Sequence, residues 1–309
     1  MAEIQPIRSE HFEALYQKFL KDDDVRITRD HWKRLFEEYS NRGDADNFGY
    51  MLIHESNIVG MLGMVHSQRE IDGQSQRFCN LHSWFVDPEF RGYSMLLMRP
   101  ILRLQDCTIT DLTPTPAVRK ISARLGFKPL DSNVQILLPR LQVFRRNDEL
   151  ATAWNQQIES IKLTSSQQLI HQDQSQLGCD CLLASNGNDQ CFMVIRRVEI
   201  HWRPYCYVLF ISNPRFFAEY HSSIRKQILR HVGGSFVALD NRLLCGERLP
   251  RSIKLPVRTE QIFRSNSVSS EKIDSLYTEV AILGLTTFPS VRSIAGRIKH
   301  RLSVGDQTE

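Results

Sequence analysis

The 309-residue chain has no run of about 18 apolar residues, the length a membrane-spanning helix needs, so no span is expected. Its N-terminus, Met1–Leu15, lacks a basic region followed by an apolar one, so no secretion signal is expected. It carries little net charge. Its 39 Lys and Arg against 35 Asp and Glu leave +4, too small an excess to argue for nucleic acid. The phosphate-loop pattern G-x-x-x-x-G-K-[ST], the dinucleotide pattern G-x-G-x-x-G, the zinc pattern H-E-x-x-H and the nucleophile elbow G-x-S-x-G are all missing. The sequence signatures of those chemistries are thereby excluded. The seven cysteines are an odd number and most lie inside apolar runs, which favours reduced, buried thiols in a cytoplasmic protein. Cys179 and Cys181 are the closest pair, and one intervening residue is not a zinc-ligand spacing, so no metal is expected.

What the chain does have is a core-forming composition, 41% hydrophobic and 24% charged, and a clear order of periodic segments. Residues 4–7 read as a strand. Ser9 can cap a helix to about Leu20, with Phe12, Leu15, Tyr16 and Phe19 on one face. Thr28 or Asp30 can cap a second helix carrying Trp32, Leu35, Phe36 and Tyr39. Residues 49–54 and 58–66 read as a hairpin, followed by a strand at 78–86, a helix, a short strand from Cys107, a second helix and a last strand. The order β-α-α-β-β-β-α-β-α-β over the first 140 residues predicts an α/β fold with a mixed sheet.

From about residue 177 the pattern restarts, with strands near 178–184, 191–200 and 205–211, a helix at 216–232 stopped by Gly233-Gly234, and a strand at 236–239. Placing Pro88 over Pro214 matches strand, turn, helix and strand. The following strands come about 19 and 21 residues later, a weak internal duplication. The expected organisation is a first domain at 1–140, a linker with some helix at 141–176, a second, degenerate domain at 177–289 and a basic tail at 290–309. The Gln- and Ser-rich end of 141–176 is the linker candidate. A helix is expected through Ile273, Leu276, Tyr277 and Val280, and an amphipathic one in the tail.

The centre of the chain is the apolar run ending at Val86, the turn Asp87-Pro88-Glu89-Phe90-Arg91-Gly92-Tyr93-Ser94, and the helical segment after it. A strand, short turn and helix aim backbone N–H groups at one point, a natural place for an anion. This stretch resembles motif A of the GNAT superfamily of acyl-CoA-dependent acyltransferases. Thr115–Phe127, ending Arg-Leu-Gly-Phe, resembles motif B. The resemblance covers residues 1–140 and extends to 177–285 through the duplication. It implies a GNAT-like fold in two tandem halves. It also implies a CoA pyrophosphate held by amides of a loop led by Arg91, with Gly92, Tyr93, Ser94, Met95 and Leu96 following. Ser94 and Leu96 stand where the family has small residues. Trp84, Phe85 and Val86 would lie at the thioester, with a strand N–H polarising its carbonyl, and Thr115 would open the motif B helix.

The resemblance further implies transfer of an acyl group from acyl-CoA to an amine. The donor is acetyl-CoA or a longer acyl-CoA, with acyl carrier protein as another thioester source, and the acceptor is a small molecule or a peptide. In CNLHSWFV, alternation places His82 with Asn80 and Trp84 on one face, and His82 is the candidate base. The family's tyrosine acid falls at Ser122, too weak an acid, leaving Cys107 and Tyr93 as stand-ins. The alternative is a catalytically inactive GNAT-like module that binds acyl-CoA or a protein partner.

Overall fold

A computed structural model of the chain describes residues 2–37, 39, 42–43, 45–139, 150–161, 163–199, 204–257 and 259–285. The basic tail expected at 290–309 lies outside them. The first half opens with β1 (Glu3–Pro6), α1 (Phe12–Leu15), which continues as a π turn to Leu20, and α2 (Arg29–Lys33). Thr28 caps α2 by accepting from the His31 amide. Then come β2 (Gly49–His54), β3 (Asn57–Ile71) and β4 (Gln74–Val86), a six-residue 3-10 turn at Pro88–Tyr93, and α3 (Ser94–Leu102). Pro100 lies inside α3, and the helix ends two residues later, because a proline supplies no N–H to the previous turn. β5 (Cys107–Asp111), α4 (Pro116–Arg124), β6 (Lys128–Pro129) and β7 (Asn133–Leu137) follow.

The second half runs β8 (Ala151–Trp154), α5 (Ser165–Gln176), β9 (Asp180–Ser185), β10 (Gln190–Val198), β11 (Tyr205–Ile211), α6 (Pro214–Ile228), β12 (Val237–Asp240), β13 (Ile253–Pro256), β14 (Ile262–Arg264) and α7 (Glu279–Leu283). Two expectations need correction. The Gln- and Ser-rich stretch is helix α5, nucleated by a reciprocal Thr164–Gln167 capping box and anchored by buried Ile170. The helix expected through Ile273–Val280 is broken: Ser270–Lys272 is one 3-10 turn and α7 starts only at Glu279. Between them Asp274 folds back to accept from the Leu276 amide, and Tyr277 has a left-handed φ of 55°. Among the described residues, no helix is long and apolar enough to cross a membrane.

The chain makes two seven-stranded mixed sheets, β1-β2-β3-β4-β5-β14-β6 and, read from β8, β8-β9-β10-β11-β12-β7-β13. Each has one parallel pair in the same place, β4/β5 and β11/β12. The duplication suggested by the two prolines is therefore carried by the sheet order. The sixth position of each sheet is filled by a strand from the other half of the sequence. β14 lies between β5 and β6, and β7 lies between β12 and β13. The sequence-based boundaries at 1–140 and 177–289 are a proposal that this exchange crosses in both directions. Further ties join the halves. Arg69 on β3 and Asp274 form a bidentate ion pair at 2.6 and 2.5 Å, both side chains nearly buried.

Without β14 or β7 each sheet has an unsatisfied internal edge. Fragments 2–139 and 150–285 are expected to lack a cooperative thermal transition when separate and to regain one when mixed. Calorimetry would decide this, and a cooperative transition from the first fragment alone would contradict the exchange.

Candidate active site

The site starts from a fork in the first sheet. β4 and β5 pair in parallel from Arg77/Cys107 to Asn80/Thr110. There β5 is about to end at Asp111 while β4 runs on to Val86. The Asn80 amide spans the fork by donating to the Thr110 hydroxyl at 3.1 Å. Just beyond it β4 bulges. Met61 opposes Phe85 and Gly63 opposes His82, so β4 has one more residue than β3 across this interval. Ser83 in the bulge has a left-handed φ of 52°, a conformation a serine adopts only when its surroundings impose it. A bulge also leaves backbone groups out of the ladder.

A cavity of about 300 Å³ occupies the opened fork. β4 lines it with Leu81, His82, Ser83, Trp84 and Phe85, and Asp111, Thr113, Thr115 and Ser122 lie across from them. Asp23, Asp24 and Trp32 close one side, and Glu279 and Leu283 come from α7, at the far end of the sequence.

Glu279 is 2% exposed. Its backbone N–H donates to Asn80 Oδ1 at 3.0 Å, which docks the start of α7 onto the fork. Thr113 Oγ1 donates to Glu279 Oε1 at 2.9 Å, and Oε2 has no partner. Burial raises the Glu279 carboxyl to about 7, opposed by the Thr113 hydrogen bond. Asp111 lines the same cavity, and burial together with the charge of Glu279 pushes its carboxyl well above the usual range. The fork thus holds two carboxyls that burial pushes upward, Glu279 to about 7 and Asp111 in the same direction.

Of the sequence candidates, His82, Trp84, Phe85 and Thr115 line the cavity, while Val86, Arg91, Gly92, Tyr93, Ser94, Met95, Leu96 and Cys107 do not. His82 is buried, with Nδ1 3.1 Å from the Ser83 hydroxyl and Nε2 unpartnered. Burial lowers its ring to about 3, so it is neutral near pH 7. Its ring lies on Gly63, where a Cβ would come 2.1 Å from Cε1, which is why β3 has glycine there. Cys107 sits at the other end of the paired β4/β5 stretch, and burial pushes its thiol up to about 11. Tyr93 is exposed. Thr115 caps α4 by accepting from the Val118 amide.

The expected phosphate turn is wound into 3-10 turns. The Phe90 amide donates to Asp87 O, and the Ser94 amide to Arg91 O. Arg91 and Gly92 are exposed, and a Cβ on Gly92 would meet nothing within 4 Å. Leu96 is partly buried and packs on the first sheet's core. In the second half Asn213 is spent capping α6, and Phe216 and Phe217 are buried.

Asp111 and Glu279 went unread in the sequence. Their signal is a lone charge inside a short segment with no other charged residue, Cys107–Leu112 and Leu276–Leu283. Among the described residues, no group of three or more His, Cys, Asp or Glu is placed to hold a metal.

The sequence matches no protein-family model and no curated protein. Solved structures do match. A GCN5-related N-acetyltransferase from Anabaena variabilis superposes with a TM-score of 0.55 at 13% identity, over 85% of this chain and 72% of that one. A probable N-acyltransferase from Enterococcus faecalis gives 0.54 at 10% identity, over 87% and 74%. A GCN5-related N-acetyltransferase from Kribbella flavida gives 0.52 at 14%, over 86% and 71%. With its two like-ordered sheets and its forked β4/β5 pair, the chain has the fold of the GCN5-related N-acetyltransferases, in two halves.

Proposed function

We propose that the protein is an acyltransferase that moves an acyl group from acyl-CoA to an amine, with Glu279 as general base. The observation that carries this reading is a buried carboxyl near neutral pKa, one oxygen unpartnered, in the cavity of the forked sheet. In this reading the acceptor arrives as an ammonium ion. Glu279 takes one proton, and the neutral amine attacks the thioester carbonyl beside the Ser83–Trp84 bulge. The carbon–nitrogen bond forms, the carbon–sulfur bond breaks, and the CoA thiolate takes the proton held by Asp111. The nitrogen's remaining excess proton passes to solvent. Splitting acid and base between two carboxyls removes the need for the tyrosine that Ser122 replaces. Holding the amine and thioester in one cavity supplies proximity. His82, neutral and packed on Gly63, is proposed to shape the cavity rather than take the proton. Arg91 beside open Gly92 is the residue proposed to face the CoA phosphates, and the donor is acetyl-CoA or a longer acyl-CoA.

The 3-10 turns that engage the Ser94 amide favour one second reading, a module that binds acyl-CoA without turnover. Titrating the protein with acetyl-CoA and longer acyl-CoAs by calorimetry, then following thiol release across a panel of amines, separates the two. Binding followed by release supports the enzyme. Binding with no release from any amine supports the module, and no binding of any thioester overturns both.

A further inference from the structure

Among the described residues, the lining of the cavity includes four carboxyl side chains, Asp23, Asp24, Asp111 and Glu279, and no lysine or arginine. Two of the four are already engaged. Asp24 holds the Arg26 guanidinium at 2.5 Å and accepts from its amide. Asp111 accepts from the Thr113 amide at 3.2 Å. Glu279 Oε2 is unpartnered, and the exposed side chain of Asp23, at the edge of the cavity, has no hydrogen bond or ion pair to another described residue. A second, independent signal comes from Trp32. It is 3% exposed, lines the same cavity, and its indole N–H has no acceptor. A buried donor without a partner costs on the order of 1–3 kcal/mol, and a ligand oxygen would relieve it. The ring is held by α2, so this donor is fixed rather than adaptable.

We propose that the acceptor is a compact diamine bearing a hydroxyl or carbonyl oxygen. One nitrogen meets Glu279, the second stays protonated at Asp23, and the oxygen accepts from Trp32 Nε1. This rests on the acyl-transfer reading and narrows it to a class of acceptor. It explains why the cavity tolerates a free carboxylate at its edge as well as one at its base. A charged group on the ligand compensates each, whereas a simple monoamine leaves the buried Trp32 donor unsatisfied and Asp23 paired only with water.

The test uses the full chain and three probes: a diamino alcohol, the diamine lacking its hydroxyl, and the matching monoamine. Affinity is read by calorimetry without acyl-CoA, and kcat/KM by thiol release with it. The expected order is diamino alcohol, diamine, monoamine, each step about tenfold. Asp23→Asn should shrink the ratio of diamine to monoamine to near one. Trp32→Phe should shrink only the ratio of diamino alcohol to diamine. Asp23 is on the surface, so its variant folds even if the Trp32 variant does not. Equal affinities across the three probes, or ratios unchanged in Asp23→Asn, overturn the inference. If thiol release occurs with a flat order, the acyl-transfer reading stands and this one falls. If the order holds in binding but no probe releases thiol, acyl transfer fails while the recognition stands.

Discussion

Glu279→Gln is expected to lower kcat/KM by about a hundred- to ten-thousand-fold, the range for loss of a positioned general base, while leaving acyl-CoA affinity within about threefold. The same substitution has a stability signature that separates it from simple damage. Burial raises the Glu279 carboxyl from 4.5 in the unfolded chain to about 7 in the fold. Between those values the folded state binds more protons than the unfolded one. The group's contribution is therefore fully present below about pH 4.5 and lost as pH rises through about 7. That difference corresponds to on the order of 3 kcal/mol. Glutamine does not ionise, so the variant's Tm should exceed that of the natural protein at about pH 8 and lose the advantage at about pH 5. Thermal unfolding at the two pH values, alongside rates, reads both effects. An inactive variant that is destabilised at both would point to a structural role instead.

The second large effect falls on the strut that places Glu279. Arg242 is 2% exposed and ties the end of β12 to the segment leading into α7. Its Nε donates to Ile273 O at 2.7 Å, and one terminal nitrogen donates to Asp240 at 2.7 Å and Ser275 Oγ at 3.1 Å. The other donates to Gln261 Oε1, just before β14. Tyr207 donates to the second oxygen of Asp240 at 2.6 Å. Arg242→Ala leaves Asp240 buried without its counter-charge, and breaking such a pair costs about 3–5 kcal/mol. In a chain of this size that is a fall in Tm of roughly 5–8 °C. Tyr207→Phe, which removes one hydrogen bond and no charge, should cost about 1 kcal/mol. Comparable losses from the two variants would show that the ion pair is not what holds the segment.

Much of the fold was legible because its signals are local. The turn from Asp87 to Ser94, the Thr28 and Thr115 caps and the hairpin at β2–β3 each announce themselves within a few residues. The restart after residue 177 could be read from the spacing of two prolines. The site was half legible. Alternation put His82 and Trp84 on one face of β4, but the bulge at Ser83 brings five consecutive residues, Leu81 to Phe85, to the cavity. Alternation could not reveal that burial holds His82 neutral, since that depends on α7 closing over the strand. Glu279 was out of reach for a similar reason. It lies 199 residues from Asn80, to whose side chain it is bonded, and the strand exchange that brings α7 there leaves no periodic trace. The turn from Asp87 to Ser94 shows the opposite case. Its place between β4 and α3 was legible, but its 3-10 winding follows from Pro88 fixing φ at the first position and from the Asp87 carbonyl accepting from Phe90.

The most direct test of this account is the pH dependence of kcat/KM for thiol release in the natural protein and in Glu279→Gln. The natural protein's rate should rise through an ionisation near pH 7. In the variant that ionisation should be gone and the remaining rate low across the range. A profile that keeps the same ionisation in Glu279→Gln, at an undiminished rate, would contradict it.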